Sequence, residues 1–187
     1  MKIESIDMVL HGNKADMGML SAAQVDRYGN ISTTCIGKYT APRIRFGGGG
    51  GACDFGSLAP KTVIILEHDK RRFPEKVDFI TTPGFLTVKN GREKSGLRPG
   101  TGPYAVVTSL GIFKFDKKGE MILTGYHPST NVLAIKENVQ WDLKVDDDVE
   151  PLLPPRKEEL KALRLLDPDG MYLRNAKAFD GKTQIFV

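Results

Sequence analysis

Thr62-Val63-Ile64-Ile65-Leu66 is a continuous apolar run of strand length, set between Pro60 and the polar Glu67-His68-Asp69. A β-branched run without polar alternation predicts a strand covered on both faces, as in an open α/β sheet. Upstream, residues 17–25 are apolar and compact and read as a second buried strand. Residues 31–36 and 43–46 predict further strands, and residues 55–59 a short helical piece ended by Pro60. Between the first two lies Asp26-Arg27-Tyr28-Gly29-Asn30, whose Asp, Gly and Asn favour a turn.

Downstream, residues 77–80 are a short strand candidate and residues 84–102 a long loop. Loops of that length commonly have a binding or interface task. Residues 104–108, 111–115 and 121–126 form an antiparallel meander, with Asp116-Lys117-Lys118-Gly119 as one of its turns. Ser129 and Thr130 are placed to cap a helix over residues 131–139. Pro154-Pro155 precedes a last helix over residues 156–166, with Leu160, Leu163 and Leu166 as its apolar stripe. At the other end Ile6, Val9 and Leu10 read as the tail of an amphipathic helix. The expected class is α/β: an open, mainly parallel sheet flanked by helices, with a C-terminal antiparallel meander. No repeat or internal boundary divides residues 1–187, so one domain is expected.

The 187 residues are 40% hydrophobic and 27% charged, the balance of a globular protein. The formal charge of +4 is dispersed apart from Lys70-Arg71-Arg72, which argues against a nucleic-acid partner. No apolar stretch is long enough to span a bilayer, and residues 1–5 carry no apolar signal region. Cys35 and Cys53 have no metal-type spacing. A cytoplasmic protein with reduced thiols, no metal and no membrane partner is the simplest expectation.

Five consecutive glycines, Gly47-Gly48-Gly49-Gly50-Gly51, stand between the strand at 43–46 and Ala52-Cys53-Asp54-Phe55. Such a run is unfavourable for stability, because each glycine loses more backbone entropy on folding than any other residue. The usual return is close approach of bare N–H groups to a negatively charged ligand. A flexible linker is the bland alternative, though linkers run longer and mix in serine. The amides of Gly50, Gly51 and Ala52 are the candidate anion cradle or oxyanion hole. No Gly-Lys-Ser/Thr closes the loop and no long helix with a distant acid follows, so neither common nucleotide fingerprint is met.

Gln24 and Asp26 end a predicted strand, where ligands bind in open α/β sheets; a turn-stabilising pair is the equal alternative. Glu67-His68-Asp69 has the composition of an acid–base cluster, but a polar strand end is the commoner outcome. Lys70-Arg71-Arg72-Phe73 has phosphate-binding chemistry, but a solvated charged turn or a salt-bridged contact with a partner subunit is the commoner outcome. Cys53 reads as a small space-filler rather than a nucleophile. His11 and His127 are isolated.

Three segments occur in order: Ala22-Ala23-Gln24-Val25-Asp26-Arg27-Tyr28-Gly29-Asn30-Ile31, Gly48-Gly49-Gly50-Gly51-Ala52, and His68-Asp69-Lys70-Arg71-Arg72-Phe73 followed by Lys76-Val77-Asp78-Phe79-Ile80-Thr81-Thr82-Pro83-Gly84. With Gly111-Ile112-Phe113-Lys114-Phe115-Asp116, Tyr126-His127-Pro128 and Trp141-Asp142-Leu143, the chain resembles the β subunits of family I CoA-transferases, of the glutaconate CoA-transferase type. The resemblance covers nearly the whole chain. It implies an α-type partner subunit, a coenzyme A thioester and a carboxylate as substrates, and no permanently bound cofactor. It also implies a glutamate that attacks the thioester, giving a mixed anhydride and then a glutamyl-CoA thioester.

In the family that glutamate stands in a Glu-Ser/Asn-Gly context in the N-terminal part of the β subunit. Neither Glu4 nor Asp7 has such a context, so the nucleophile is expected outside this chain and its catalytic residue stays unassigned. What the resemblance leaves to this chain is the loop Gly48, Gly50, Gly51 and Ala52 for CoA or the thioester oxygen, with Gln24 and Asp26 toward the substrate pocket. An N-terminally incomplete sheet would expose apolar surface. A CoA-thioester hydrolase subunit and a non-catalytic partner of an α-like subunit are the alternatives.

Overall fold

The computed structural model describes residues 9–10, 14–87 and 90–170; Glu4, Ile6, Asp7 and His11 lie outside them. In chain order come β1 (Gly18–Leu20), β2 (Gln24–Val25), β3 (Ile31–Ser32), β4 (Cys35–Ile36), β5 (Ile44–Arg45), α1 (Ala52–Leu58) and β6 (Lys61–Leu66). A 3-10 turn (Lys70–Arg72) leads to α2 (Gly91–Lys94), β7 (Gly102–Thr108), β8 (Gly111–Phe115), β9 (Met121–Tyr126), α3 (Val132–Glu137), β10 (Lys144–Pro151) and α4 (Lys157–Leu166). Six strands form one sheet in the order β1-β6-β7-β8-β9-β10. β1, β6 and β7 are parallel, β7, β8 and β9 make the expected antiparallel meander, and β10 returns parallel to β9.

Register explains the core. Ile64 pairs with Val106, Val106 with Phe113, and Phe113 with Leu123, so four side chains from four strands form one row. All four are fully buried, and Phe73, Met121, Ile135 and Leu143 close over them. Burying each such side chain contributes about 1.5–3 kcal/mol. α1 packs on the same face, where a Cβ at Gly18 would touch Phe55 at 3.1 Å and Ala59 at 3.4 Å.

The opposite face differs from expectation. Ile65 is 47% exposed and Met19 67%, so β6 alternates instead of being covered on both faces. The uniform Thr62-Val63-Ile64-Ile65-Leu66 run arises because both faces are apolar while only one is covered among the described residues. α4 likewise leaves Leu163 (40%), Leu165 (73%) and Leu166 (83%) exposed, so of the expected Leu160/Leu163/Leu166 stripe only Leu160 is partly covered among the described residues. At the far edge, β10 carries Asp146, Asp147, Asp148 and Glu150 and shifts register between Val145 and Glu150, devices that blunt an edge strand.

Several boundaries move for local reasons. Residues 17–25 divide into β1 and β2, which belong to different sheets, and residues 31–36 divide into β3 and β4. Residues 77–80 form no strand; Asp78 instead exchanges hydrogen bonds with Gln24. Among the described residues one short helix, α2, interrupts the loop at 84–102. α3 is capped by Asn131, whose side chain accepts from Ala134 N at 2.9 Å, rather than by Ser129 or Thr130. Among the described residues no helix is long and apolar enough to cross a membrane.

Candidate functional site

The glycine run is a shaped turn that opens α1. β4 and β5 pair antiparallel, and Phe46 N donates to Thr34 O at 3.0 Å, which delivers the chain to Gly47. Gly48 (φ +99°) and Gly50 (φ +50°) are left-handed, a conformation that L side chains rarely adopt. Gly49 rests on the strap at 81–84: a Cβ there would come within 2.6 Å of the Thr81 methyl. Around Gly48 and Gly50 there is open space.

Ala52 N donates to Gly49 O at 2.9 Å and closes the turn. That corrects the expectation for the Ala52 amide, which is used within the chain. The remaining candidate donors are the amides of Gly50 and Gly51. Gly51 is the N-cap of α1 and brings no side-chain cap of its own. Asp54 lies in the first turn of the helix, and Cys53 is exposed with Sγ 3.9 Å from Ser57 Oγ.

The loop's place in the sheet follows from topology. β1 and β6 run parallel, and α1 packs through Phe55 and its C-cap Ala59 against the start of β1 at Gly18. The N-terminus of α1 therefore points to the carboxyl edge of these strands, the edge at which open α/β sheets hold ligands. A groove of about 360 Å³ lies at the opposite edge, lined by Lys61, Arg92, Tyr104 and Lys118 among others. None of the residues expected at the site lines it.

Gln24 and Asp26 are 4% and 0% exposed, and both bind the chain itself. Gln24 Nε2 donates to Asp78 Oδ2 at 2.9 Å while Gln24 Oε1 accepts from Asp78 N at 3.1 Å. Asp26 Oδ1 accepts from Tyr28 N, Asn30 N and Asn30 Nδ2 at 3.0–3.1 Å, and Oδ2 from Asn30 Nδ2 at 3.0 Å and Val77 N at 3.4 Å. Burial raises the Asp26 pKa, and these donors oppose the rise. Both side chains are thus engaged in holding the turn and the segment at 77–78, as the turn-stabilising alternative expects. Asn30 extends the hub, because its Oδ1 accepts from Gly84 N at 2.9 Å and so ties the turn at 26–30 to the strap beneath the glycine loop.

Glu67, His68 and Asp69 diverge. Glu67 accepts from Ser109 Oγ at 3.0 Å, and Asp69 binds Arg71, whose hydrogen bonds hold the Asp69 carboxyl down to about 2. Arg71 is therefore engaged locally, and Arg72 donates to Ala22 O at 3.3 Å. His68 is 8% exposed and stacks on Phe73 and Phe113 with centroids 4.7 and 5.7 Å away. Its Nε2 lies 3.4 Å from Ile135 O and its Nδ1 3.3 Å from the Thr108 hydroxyl.

Desolvation lowers the His68 pKa from 6.5 to about 4. Between those values the unfolded ring binds a proton that the folded ring does not, so stability rises with pH there. The contribution is complete above pH 6.5 and declines through that window, by about 3 kcal/mol at its lower end. Urea titrations at pH 7.5 and 4.5 should show this decline, and His68→Phe should remove most of it. An unchanged pH slope in the variant would contradict the assignment.

Sequence reasoning misses Arg92, which the local pattern places in a charged loop. It is 4% exposed, and no carboxylate faces it among its hydrogen bonds. Nothing in that pattern distinguishes it from its exposed neighbours Glu93 and Lys94. Among the described residues no cluster of His, Cys, Asp or Glu is placed to hold a metal ion.

Comparison with known proteins finds the family described as Coenzyme A transferase matching residues 2–138. The β subunit of glutaconate CoA-transferase from Acidaminococcus fermentans is 38% identical over 171 residues, 90% of this chain and 64% of that protein. The β subunit of 3-oxoadipate CoA-transferase from Pseudomonas knackmussii is 40% identical over 159 residues, 84% of this chain and 61% of that protein. The crystal structure of glutaconate coenzyme A-transferase from Acidaminococcus fermentans superposes with a TM-score of 0.82 at 35% identity, covering 91% of this chain and 66% of that one. The chain thus spans 61–64% of the length of these two curated relatives.

Proposed function

That this chain belongs to the coenzyme A transferase family is the premise from which we propose its role: a β-type subunit of a cytoplasmic acyl-CoA:carboxylate CoA-transferase. It supplies the glycine loop to an active site shared with an α-type subunit. The observation that carries this reading is the turn at Gly48–Gly51, with two left-handed glycines, open space around them and the Gly50 and Gly51 amides at the carboxyl edge of parallel strands.

In the transfer cycle a glutamate attacks the thioester carbonyl, and negative charge develops on its oxygen. Amides fixed in place beforehand stabilise that charge without reorganising. Gly50 and Gly51 serve this oxygen or the adjoining CoA chain, and Gly48 lets the backbone bend toward it. Ala52 closes the turn, while Gln24 and Asp26 hold the scaffold behind it. The attacking carboxylate is assigned to no residue of this chain.

The test is acyl-CoA consumption by the chain co-expressed with an α-type subunit, with and without acetate as acceptor. Turnover that requires acetate is the expected result. Turnover without an acceptor would mean hydrolysis instead, and none in either condition would leave a structural partner.

A further inference from the structure

We infer that Arg92 is a positioning residue for the glycine loop, acting through α1 and the strap at 81–84; the inference rests on the function proposed above. Its guanidinium Nη1 donates to Pro83 O at 2.8 Å and to Gly84 O at 3.1 Å. Nη2 donates to Gly56 O at 3.0 Å and to Thr101 Oγ1 at 3.1 Å. One buried fork therefore joins three segments that lie apart in the sequence: the second half of α1, the strap, and the approach to β7.

Each joined segment bears on the loop. Gly56 belongs to α1, the helix that the loop opens, and a Cβ at Gly56 would overlap the Thr82 side chain. The strap also carries Thr81, whose methyl supports Gly49 and whose Oγ1 accepts from Thr33 N at 2.9 Å and lies 2.8 Å from Thr34 Oγ1. At its other end the strap is held by Asn30, and so by Asp26. Arg92 closes this circuit from the side of the helix.

The acceptors explain why arginine is needed. All four are neutral oxygens, shared between the two terminal nitrogens of one fork, and they outnumber the three donors of a single ammonium. Gly102 (φ +136°) makes room for it, since a Cβ there would come within 3.1 Å of Arg92 Nε. A buried cation without a carboxylate is costly unless its donors are paired. Here four bonds to neutral oxygens pair the two terminal nitrogens while the buried Nε has no partner among the described residues, and in return for that cost the strap and helix are held in one arrangement.

The test compares Arg92→Lys with the wild type in two settings. In the complex with an α-type subunit, kcat should fall about 100-fold, as small misplacements of a reacting group do, while KM for acyl-CoA and acceptor stays within about twofold. In the chain alone, hydrogen exchange should quicken at residues 49–58 and 81–84 and stay unchanged in β8 and β9. Wild-type kcat in Arg92→Lys, or KM rising in step with the loss, would overturn the inference. Should Arg92→Lys fail to fold, Thr101→Val removes one acceptor of the fork, together with the hydroxyl's own bond to Arg98 O at 2.7 Å: lower kcat at constant KM supports the assignment, and unchanged kcat overturns it. A wild-type complex without turnover would refute the proposed function alone, and the exchange measurement would still decide Arg92.

Discussion

Gly51→Val should leave the chain folded and able to assemble, while acyl-CoA turnover drops at least 100-fold. The contrast rests on local geometry. Gly51 has φ −82°, open to any L residue, and a Cβ there would meet the Phe55 ring at an ordinary 3.7 Å. The chain itself therefore accommodates valine, and what the isopropyl group obstructs is the space in front of the two amides. The N–H groups remain, so the expected loss comes from blocked access, and denying a developing oxyanion one donor costs about 10²–10³ in rate. Gly50→Val should be equally inactive but harder to interpret, because φ +50° strains a β-branched residue by about 1–2 kcal/mol. The measurement is steady-state kinetics on the co-purified complex, with size exclusion as the control for assembly. Full turnover by Gly51→Val would remove the loop from the active site.

Asp26→Ala should cost about 4 kcal/mol of stability, at the upper end for a single substitution. Five N–H···O contacts from four nitrogens converge on this carboxylate, and Asn30 Nδ2 supplies two of them. Each buried donor left without a partner costs about 1–3 kcal/mol, and alanine supplies no acceptor. Asp26→Asn should also destabilise, by about 2 kcal/mol, because its amide nitrogen would face donors. Urea unfolding followed by far-ultraviolet circular dichroism gives both values. A loss below about 1 kcal/mol for Asp26→Ala would mean that water replaces the carboxylate and that the hub is dispensable.

The parts of the fold that were legible in the sequence are those where local pattern and tertiary environment agree. The meander from β7 to β9 has strands divided by turn residues, and Asp116 and Gly119 make the turn that the pattern predicts, with Gly119 N donating to Asp116 O at 2.9 Å. The glycine loop was legible because five glycines admit few purposes in a folded domain. Coverage of β6 was not, because an apolar run looks the same whether its second face meets a helix or lies open. The roles of Gln24 and Asp26 were open for a related reason. Their partners Asp78, Asn30 and Val77 include residues about fifty positions away, and sequence spacing carries no record of such pairings. Arg92 was hidden most completely, since its acceptors are mostly main-chain carbonyls, which every residue possesses.

Recognition by peptide nitrogens has an evolutionary corollary. A contact that involves no side chain cannot be retuned by exchanging one functional group for another; it can only be blocked. Under the function proposed here, preference for one organic acid over another must then be written in residues around the bend, leaving the shared thioester-gripping element free to pass unchanged between enzymes with different diets.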